Sequence, residues 1–323
     1  MAGSPNLTSN AQEAEGTVMD ILVGILEQGM IYGILALGVY ITFRILNFPD
    51  LTVDGSFPLG AAVTALLMTG GDSDLIQGLT LGQDPYLISL YALLAGSLAG
   101  LVTGMIHVRL KVGALISGLI TMTALYSINL RIAGSANVPI FNLDTIMSND
   151  WMDRLFPDSL RRFQGLITVT VIALVIKLIL DWYLKTRSGY LLRAAGSNAV
   201  LVTTLARDSG NVKILGIVLA NGLVALSGSI MMQQQGFFEI TMGTGTMVMG
   251  LASVIIGTTL FKHLGLVRST TAVLAGSILY KAAISLAMDI NFARASDMKL
   301  ITSILFLIIL VVGQGKRKVT IDA

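Results

Sequence analysis

The chain has 323 residues, of which 54% are apolar and 12% charged, with 34 glycines and a formal net charge of +2. So few charged residues are not typical of a soluble domain of this size. The net charge is uninformative in sum, and we predict no nucleic-acid partner. The absence of cysteine excludes disulfides, thiolate metal sites and cysteine nucleophiles. Composition therefore predicts a membrane protein in contact with lipid.

Long apolar stretches recur along the chain. Several stay apolar for about 18 residues or more, the length that a helix needs to cross roughly 30 Å of hydrocarbon. Because lipid offers no hydrogen-bond partners to the backbone, these stretches are expected to be α-helices. They lie at about 20–43, 56–70, 86–106, 112–133, 165–183, 214–233, 245–261, 269–288 and 300–313. We predict an all-α polytopic transmembrane helical bundle with nine spans.

The two ends of the chain are polar. Residues 1–18 lack the basic start and the apolar core of a cleavable signal, so we assign them to an N-terminal tail. Residues 19–315 form the transmembrane domain, and residues 316–323 a second tail. Most Lys and Arg residues between the spans fall on one face if the N-terminus is outside and the C-terminus cytoplasmic. The positive-inside rule predicts this orientation.

The first apolar run is interrupted by a polar, proline-containing stretch, the broken segment (residues 44–60). Pro49 and Pro58 forbid one continuous helix. Five polar side chains offer acceptors to the freed backbone N–H groups: Asn47, Asp50, Thr52, Asp54 and Ser56. Broken helices often mark transport pathways, and the alternative is a tight cytoplasmic turn that is capped by the same side chains.

Glycines repeat every fourth residue in two of the predicted spans. Gly96, Gly100 and Gly104 lie in the third span, and Gly29 and Gly33 lie in the first. Such small-residue ridges let helices approach closely. We expect these glycines to pack against other helices of the same chain. The alternative is an interface between two copies of the chain.

The longest polar connection, about residues 134–164, lies on the predicted outer face. It contains Trp151, Phe156 and two prolines. Two interpretations stay open. Long loops are often functional, so this one is a candidate surface for an external partner. The other interpretation is an ordinary loop with an interfacial helix around residues 150–163.

A basic connection, about residues 186–212, is too polar to span a bilayer and too apolar for a plain loop. Its Arg and Lys residues place it on the cytoplasmic face. Its apolar side chains predict a short helix that binds in a partner's groove. We call it the docking element, and its candidate contact residues are Arg193, Ala194, Ala195, Gly196, Ser197, Asn198, Leu201, Leu205 and Arg207.

Polar side chains inside the spans are expected to face the interior of the bundle and not the lipid. Glu27 and Lys281 each lie roughly two turns from the outer end of their span, where they could meet or reach the interface. The candidates for a pathway through the bundle are Tyr32, Asn47, Asp50, Asp54, Asn221, Ser227, Gln233 and Ser253. Interhelical hydrogen bonding is the alternative for about half of them.

Several of these stretches carry a family resemblance. They are residues 33–44, Leu46-Asn-Phe-Pro-Asp-Leu-Thr-Val-Asp-Gly-Ser-Phe-Pro-Leu-Gly-Ala-Ala62, Leu192-Arg-Ala-Ala-Gly-Ser-Asn198, and residues 213–228 running on to Met249-Gly-Leu-Ala-Ser-Val-Ile-Ile-Gly257. They resemble the integral-membrane permeases of ABC importers in the branched-chain amino acid and ribose permease superfamily. The resemblance is strongest to the tryptophan/tyrosine-type branch.

The resemblance implies a permease subunit of an importer in the bacterial plasma (inner) membrane. It implies a homodimer, two copies of an ABC ATPase subunit on the docking element, and an extracellular or periplasmic solute-binding protein. The solute would be a small molecule of the amino acid class, with an aromatic amino acid favoured. Ala206 and Thr203 replace a Gly and a basic residue that the family usually has, which affects the details of docking.

No Gly-x-x-x-x-Gly-Lys-[Ser/Thr] phosphate loop occurs, so ATP hydrolysis by that route must belong to another polypeptide. We predict no catalytic residue, no metal site and no cofactor. The competing functions are an ion-coupled secondary transporter that uses Glu27 and Lys281, an ABC permease for a sugar or nucleoside, and a membrane scaffold or receptor subunit.

Overall fold

The computed structural model describes residues 7–70, 84–141, 143–149, 154, 157–197, 209–261, 268–288, 300, 302–304 and 307. The helices are α1 (Leu7–Val39), α2 (Val53–Thr69), α3 (Pro85–Val108), α4 (Ala114–Ala133), α5 (Gln164–Tyr183), α6 (Arg187–Ser197), α7 (Ser209–Gln235), α8 (Thr246–Leu260) and α9 (Ser269–Met288). A π-helical turn (Tyr40–Ile45) continues α1, and 3-10 helices precede α5 (Asp158–Phe163) and α8 (Ile240–Gly243).

Seven helical segments are long and apolar enough to cross a bilayer. They are Met19–Ile45, Pro85–Val108, Ala114–Ala133, Leu160–Tyr183, Ser209–Gln235, Ile240–Leu260 and Ser269–Met288. They correspond to seven of the nine predicted spans, and the helical architecture is confirmed. The predicted span at 56–70 is instead the shorter apolar helix α2, with 17 residues.

The other differences lie near the chain ends. Of the predicted span at 300–313, residues 300, 302–304 and 307 are helical, and the rest falls outside the described residues. Helix α1 begins at Leu7, within the segment assigned to the N-terminal tail. The orientation of the termini stays a prediction.

Helix α7 lies at the centre of the bundle. The most apolar part of α7 is 67% buried, more than the corresponding part of the other six long helices, and α7 packs against α1, α2 and α3. The glycine repeat of α3 makes this close approach possible. A Cβ added at Gly100 would come within 2.6 Å of the Ile217 carbonyl oxygen, and Gly96 faces the Asn221 carbonyl oxygen. The expected packing within the chain is therefore confirmed.

A second group of helices is built in the same way on the other side of α1. Helix α9 packs against α1 and α8. A Cβ added at Gly33 would come within 3.0 Å of the Ser277 hydroxyl oxygen. That hydroxyl donates a hydrogen bond to the Gly29 carbonyl at 2.8 Å. Helix α9 of the same chain therefore packs on the glycine repeat of the first span.

A two-stranded sheet identifies one end of the bundle. β1 (Asn137–Pro139) and β2 (Phe237–Glu239) are antiparallel, with Val138 opposite Phe238. β1 follows α4 and β2 follows α7, so the C-terminal ends of these helices lie together. Helix α6 lies at the opposite end, where its Leu192 contacts the first half of α7 at Gly216. The sheet therefore marks the predicted outer face, and α6 the predicted cytoplasmic face.

Large apolar side chains remain exposed on the outer faces of α3, α4 and α5. On α3 they recur every fourth residue, at Leu90, Leu94 and Leu98, which are at least half exposed. On α5, Trp182 is 70% exposed. Such continuous apolar faces are unsuited to water and suited to lipid.

Candidate functional site

The backbone of the broken segment leaves regular helix at residues 46–52. The π-helical turn ends at Ile45, and the Phe48 N–H donates to the Thr42 carbonyl at 2.9 Å. Asn47 adopts a φ of 53°, in the left-handed region that Asn tolerates better than most residues. Single π-helical turns occur frequently at functional sites. The helix resumes as α2 at Val53.

A buried hydrogen-bond network, the Asp50 network, ties this break to the centre of the bundle. The Asn221 amide donates to Asp50 Oδ2 at 2.7 Å, and the Ser56 hydroxyl donates to the Asn221 amide oxygen at 2.8 Å. The backbone N–H of Thr52 donates to Asp50 Oδ1 at 2.9 Å. Asp50, Ser56 and Asn221 are at most 1% exposed. Asn221 lies about 18 Å along α7, so the geometry favours a broken helix at depth over an edge turn.

Asp54 connects the broken segment to the beginning of α8. Its carboxylate accepts hydrogen bonds from the backbone N–H groups of Gly245 at 3.1 Å and Met247 at 2.7 Å. The Thr246 hydroxyl also donates to it at 3.0 Å. The first turn of a helix has N–H groups without helical partners and carries partial positive charge, so a carboxylate stabilises it. Asp54 therefore caps a helix that is remote in sequence.

A second polar cluster lies towards the sheet end of α7. The Gln233 amide donates to the Ser89 hydroxyl at 2.9 Å, and its oxygen accepts from the Ile146 N–H at 2.9 Å. The Thr64 hydroxyl donates to Ser229 at 2.7 Å, and Ser229 lies 3.0 Å from Ser89. These bonds join α2, α3, α7 and the connection that follows β1.

The remaining pathway candidates do not gather at one place. The Ser227 hydroxyl donates to the Ile31 carbonyl at 2.7 Å, and the Ser253 hydroxyl donates to the Met249 carbonyl at 2.8 Å. Tyr32 is half-buried and stacks on Phe57, with ring centroids 6.1 Å apart. Asn47 is exposed. The structure thus brings Asn221 and Asp50 together and spreads the other candidates over several helix contacts.

The described part of the docking element is helix α6. Leu192 and Ala195 are buried, while Arg193 is exposed and lies over the Tyr190 ring at 5.9 Å. A Cβ added at Gly196 would collide with the Ile45 carbonyl oxygen. Ala194 is half-buried and Ser197 is exposed. Helix α6 therefore packs directly on the π-helical turn, while Asn198, Leu201, Leu205 and Arg207 lie outside the described residues.

Comparison with known proteins identifies the family. A family model described as branched-chain amino acid transport system / permease component matches residues 21–312. The chain belongs to this permease family. The resemblance found in the sequence is confirmed, and the protein is a multi-pass membrane permease component of an ABC-type transport system.

Relatives of the permease cover most of its length. It is 40% identical to the tyrosine transport system permease protein of Clostridioides difficile (strain R20291) over 91% of this chain and 92% of that protein. It is 33% identical to an uncharacterized protein of Rickettsia prowazekii (strain Madrid E) over 90% and 96%. A 27% identity to the autoinducer 2 import system permease protein LsrC of Salmonella typhi covers 52% and 46%. No solved structure matches the permease significantly.

Glu27 and Lys281 of the permease have different partners. Gln234 and the backbone of Leu166 hydrogen-bond Glu27. The Lys281 ammonium lies 5.4 Å from the centre of the Tyr32 ring. No ion pair between described residues joins the two side chains. Within the same residues, no cluster of three or more His, Asp or Glu side chains is suited to a metal ion.

Sequence reasoning missed several hydrogen-bonding residues of the permease. Ser89, Thr103 and Ser229 complete its buried polar clusters, and each lies in a strongly apolar helix. The sequence signal for each of them was a hydroxyl side chain within an apolar helix. Hydroxyls often bond to their own helix, as Thr103 also does with the Ala99 carbonyl, so that signal does not identify a partner.

Proposed function

We propose that the permease forms the translocation pathway of an ABC importer for an aromatic amino acid, tyrosine first, in a bacterial plasma membrane. The tyrosine transport relative supports this solute, since it is 40% identical over nearly the whole chain. Two ATPase subunits bind at α6 and the residues that follow it. A solute-binding protein delivers the solute at the opposite, outer face, and a second copy of the permease completes the passage.

The contact between α6 and the π-helical turn is the observation that carries this proposal. Gly196 lies against the Ile45 carbonyl with no room for a Cβ, so a displacement of α6 must also move the turn or separate the two. The turn leads directly into residues 46–52 and the Asp50 network. A movement that the ATPase imposes on α6 thereby reaches the centre of the bundle.

The Asp50 network is the proposed centre of the conformational change. Its bonds connect the broken segment to α7, and Asp54 connects the same segment to α8. Closely packed bundles move between discrete arrangements rather than deforming continuously. Movement of the broken segment would exchange these bonds and carry the Asp54 cap with it. Asn47, Tyr32, Ser227, Gln233 and Ser253 are the other proposed pathway residues.

The sheet end is the proposed surface for the binding protein. Phe141 is 74% exposed beside β1 and β2, and with Asn137, Pro139 and Phe237 it lines a shallow depression. Exposed aromatic residues are enriched where proteins bind one another. The second permease copy is related by a two-fold axis along the membrane normal, because one central passage then serves both copies.

Reconstitution tests the proposal. The permease would be purified from native membranes with its associated ATPase, placed in proteoliposomes with its binding protein, and tested for ATP-dependent uptake of labelled tyrosine. In Arg193→Glu, reversal of an exposed charge on α6 should weaken ATPase binding and lower uptake. Arg131→Glu is the matched control for ATPase binding and turnover, because Arg131 is exposed at the other end of the bundle.

Two results would count against the proposal. One is tyrosine uptake that does not depend on ATP. The other is equal ATPase co-purification and turnover in Arg193→Glu, Arg131→Glu and the wild type, which would remove α6 from the ATPase interface.

A further inference from the structure

Lys281 carries a charge near the middle of a membrane-spanning helix. It is about 18 Å from the beginning of α9 at 1.5 Å per residue. An ammonium group at this depth is costly in lipid, so such groups pair with acids or line a polar passage. The ion pairs between described residues do not include Lys281, whereas Lys177 of α5 lies 3.0 Å from Asp181. The two lysines therefore have different environments.

The described contact of the Lys281 ammonium is an aromatic ring. The ammonium lies 5.4 Å from the centre of the Tyr32 ring, which stacks on Phe57 with an angle of 7° between the rings. A cation–π contact offers no oxygen acceptor to the three N–H donors of the ammonium. Lys281 and Tyr32 are both half-buried, so part of each side chain remains accessible in the single chain.

The neighbouring residue adds a second polar group without an oxygen partner. The Tyr280 hydroxyl is buried and makes no hydrogen bond within the described part of the chain. Its ring packs near Ala252 and Ile284. Unsatisfied groups of this kind are few in folded proteins and call for an explanation. Two consecutive residues of α9 thus carry polar groups that the described residues leave without an oxygen.

We propose that Lys281 and the Tyr32 ring form a subsite that binds the carboxylate of the transported amino acid. This inference rests on the proposed function. A hydrogen bond between an ammonium and a carboxylate joins two charged groups and is stronger than one between neutral groups. The Tyr32 ring, which stacks on the buried Phe57 ring, gives the subsite an aromatic wall, which suits the side chain of an aromatic amino acid.

Chemical rescue distinguishes this role from a structural contact between α1 and α9. In Lys281→Cys, tyrosine uptake by the reconstituted complex should fall by about tenfold or more, because a charged hydrogen bond is lost. Modification with aminoethyl methanethiosulfonate attaches an ammonium group and should restore uptake. Methyl methanethiosulfonate adds a neutral group and should not. The chain has no cysteine of its own, so the reagent acts at one position once partner thiols are blocked.

The outcomes separate the subsite from the proposed function. Wild-type uptake together with normal uptake in Lys281→Cys, or equal rescue by both reagents, overturns the subsite alone. No ATP-driven amino acid uptake in the wild type overturns the proposed function and the subsite with it. If the cysteine variant does not fold, Lys281→Met and Lys281→Arg replace it. With the binding protein saturated with tyrosine, the uptake rate should then fall in Lys281→Met and change little in Lys281→Arg, and equal uptake rates overturn the subsite.

Discussion

Acidic side chains in the broken segment act as structural ligands of the backbone. Asp54 accepts three hydrogen bonds at the beginning of α8, and Asp50 accepts from the Thr52 backbone and the Asn221 side chain. Each carboxylate thus compensates for donors that a break at membrane depth leaves without helical partners. The stability of the broken segment therefore depends on these two carboxylates.

Asp54→Ala should lower the stability of the folded permease by about 0.5–2 kcal/mol, the range for loss of a helix cap. The reason is that the N–H groups of Gly245 and Met247 lose their acceptor inside the bundle. The measurement is the thermal unfolding midpoint in detergent.

Asp84→Ala is the matched control for this cap. Asp84 accepts from the Tyr86 N–H at 3.0 Å at the beginning of α3 and is exposed, so water can replace it. A loss of stability in Asp54→Ala no larger than the loss in Asp84→Ala would contradict the importance of the partly buried cap.

Glycines set how closely the helices and turns of the permease approach one another. The repeat in α3 lets that helix lie on α7, and Gly196 lets α6 lie on the π-helical turn. At Gly100 and at Gly196 the nearest partner atom is a backbone carbonyl oxygen, which cannot rotate away as a flexible side chain can. A methyl group at such a contact therefore moves the whole element.

Gly196→Ala should separate α6 from the π-helical turn and lower ATP-dependent uptake, while ATPase binding to the exposed side of α6 is retained. The matched control is Gly24→Ala, since a Cβ at Gly24 meets nothing within 4 Å. Uptake per ATP hydrolysed, measured for both variants, tests this. Unchanged coupling in Gly196→Ala would show that the contact transmits no movement.

The whole chain has two distinguishable ends. The sheet and the C-terminal ends of α4 and α7 lie at one end, and α6 lies at the other. Most basic residues between the spans fall on the α6 side in the predicted orientation. An importer with an ATPase at α6 requires that side to be cytoplasmic.

Single-cysteine labelling measures this orientation directly. Ser135 and Ser197 are both exposed, one beside the sheet and the other at the end of α6. In intact cells, Ser135→Cys should react with an impermeant thiol reagent, and Ser197→Cys should react only after the membrane is opened. The native chain has no cysteine, so it supplies the blank. Labelling of Ser197→Cys from outside would reverse the orientation and remove the proposed ATPase site.

The sequence by itself determined the helical membrane class, the position of seven spans and the interruption of the first one. These features depend on local properties, namely the length of an apolar run and the fixed φ of proline at Pro49. The predicted effect of Pro58 was wrong, because Pro58 lies inside α2 without interrupting it. The family was also indicated by contiguous stretches, at residues 33–62 and 192–198. The four-residue period of the α3 glycines predicted close helix packing, and the structure showed that this packing is within the chain.

Only the tertiary structure decided which polar side chains meet. Asp54 and Met247 are 193 positions apart, and Asp50 and Asn221 are 171 apart, so no local pattern relates them. Lys281 contacts Tyr32 and not Glu27, and this choice likewise depends on how α9 lies on α1. Polar side chains inside a membrane protein must find partners, but which partners they find is fixed by the packing of the helices that carry them.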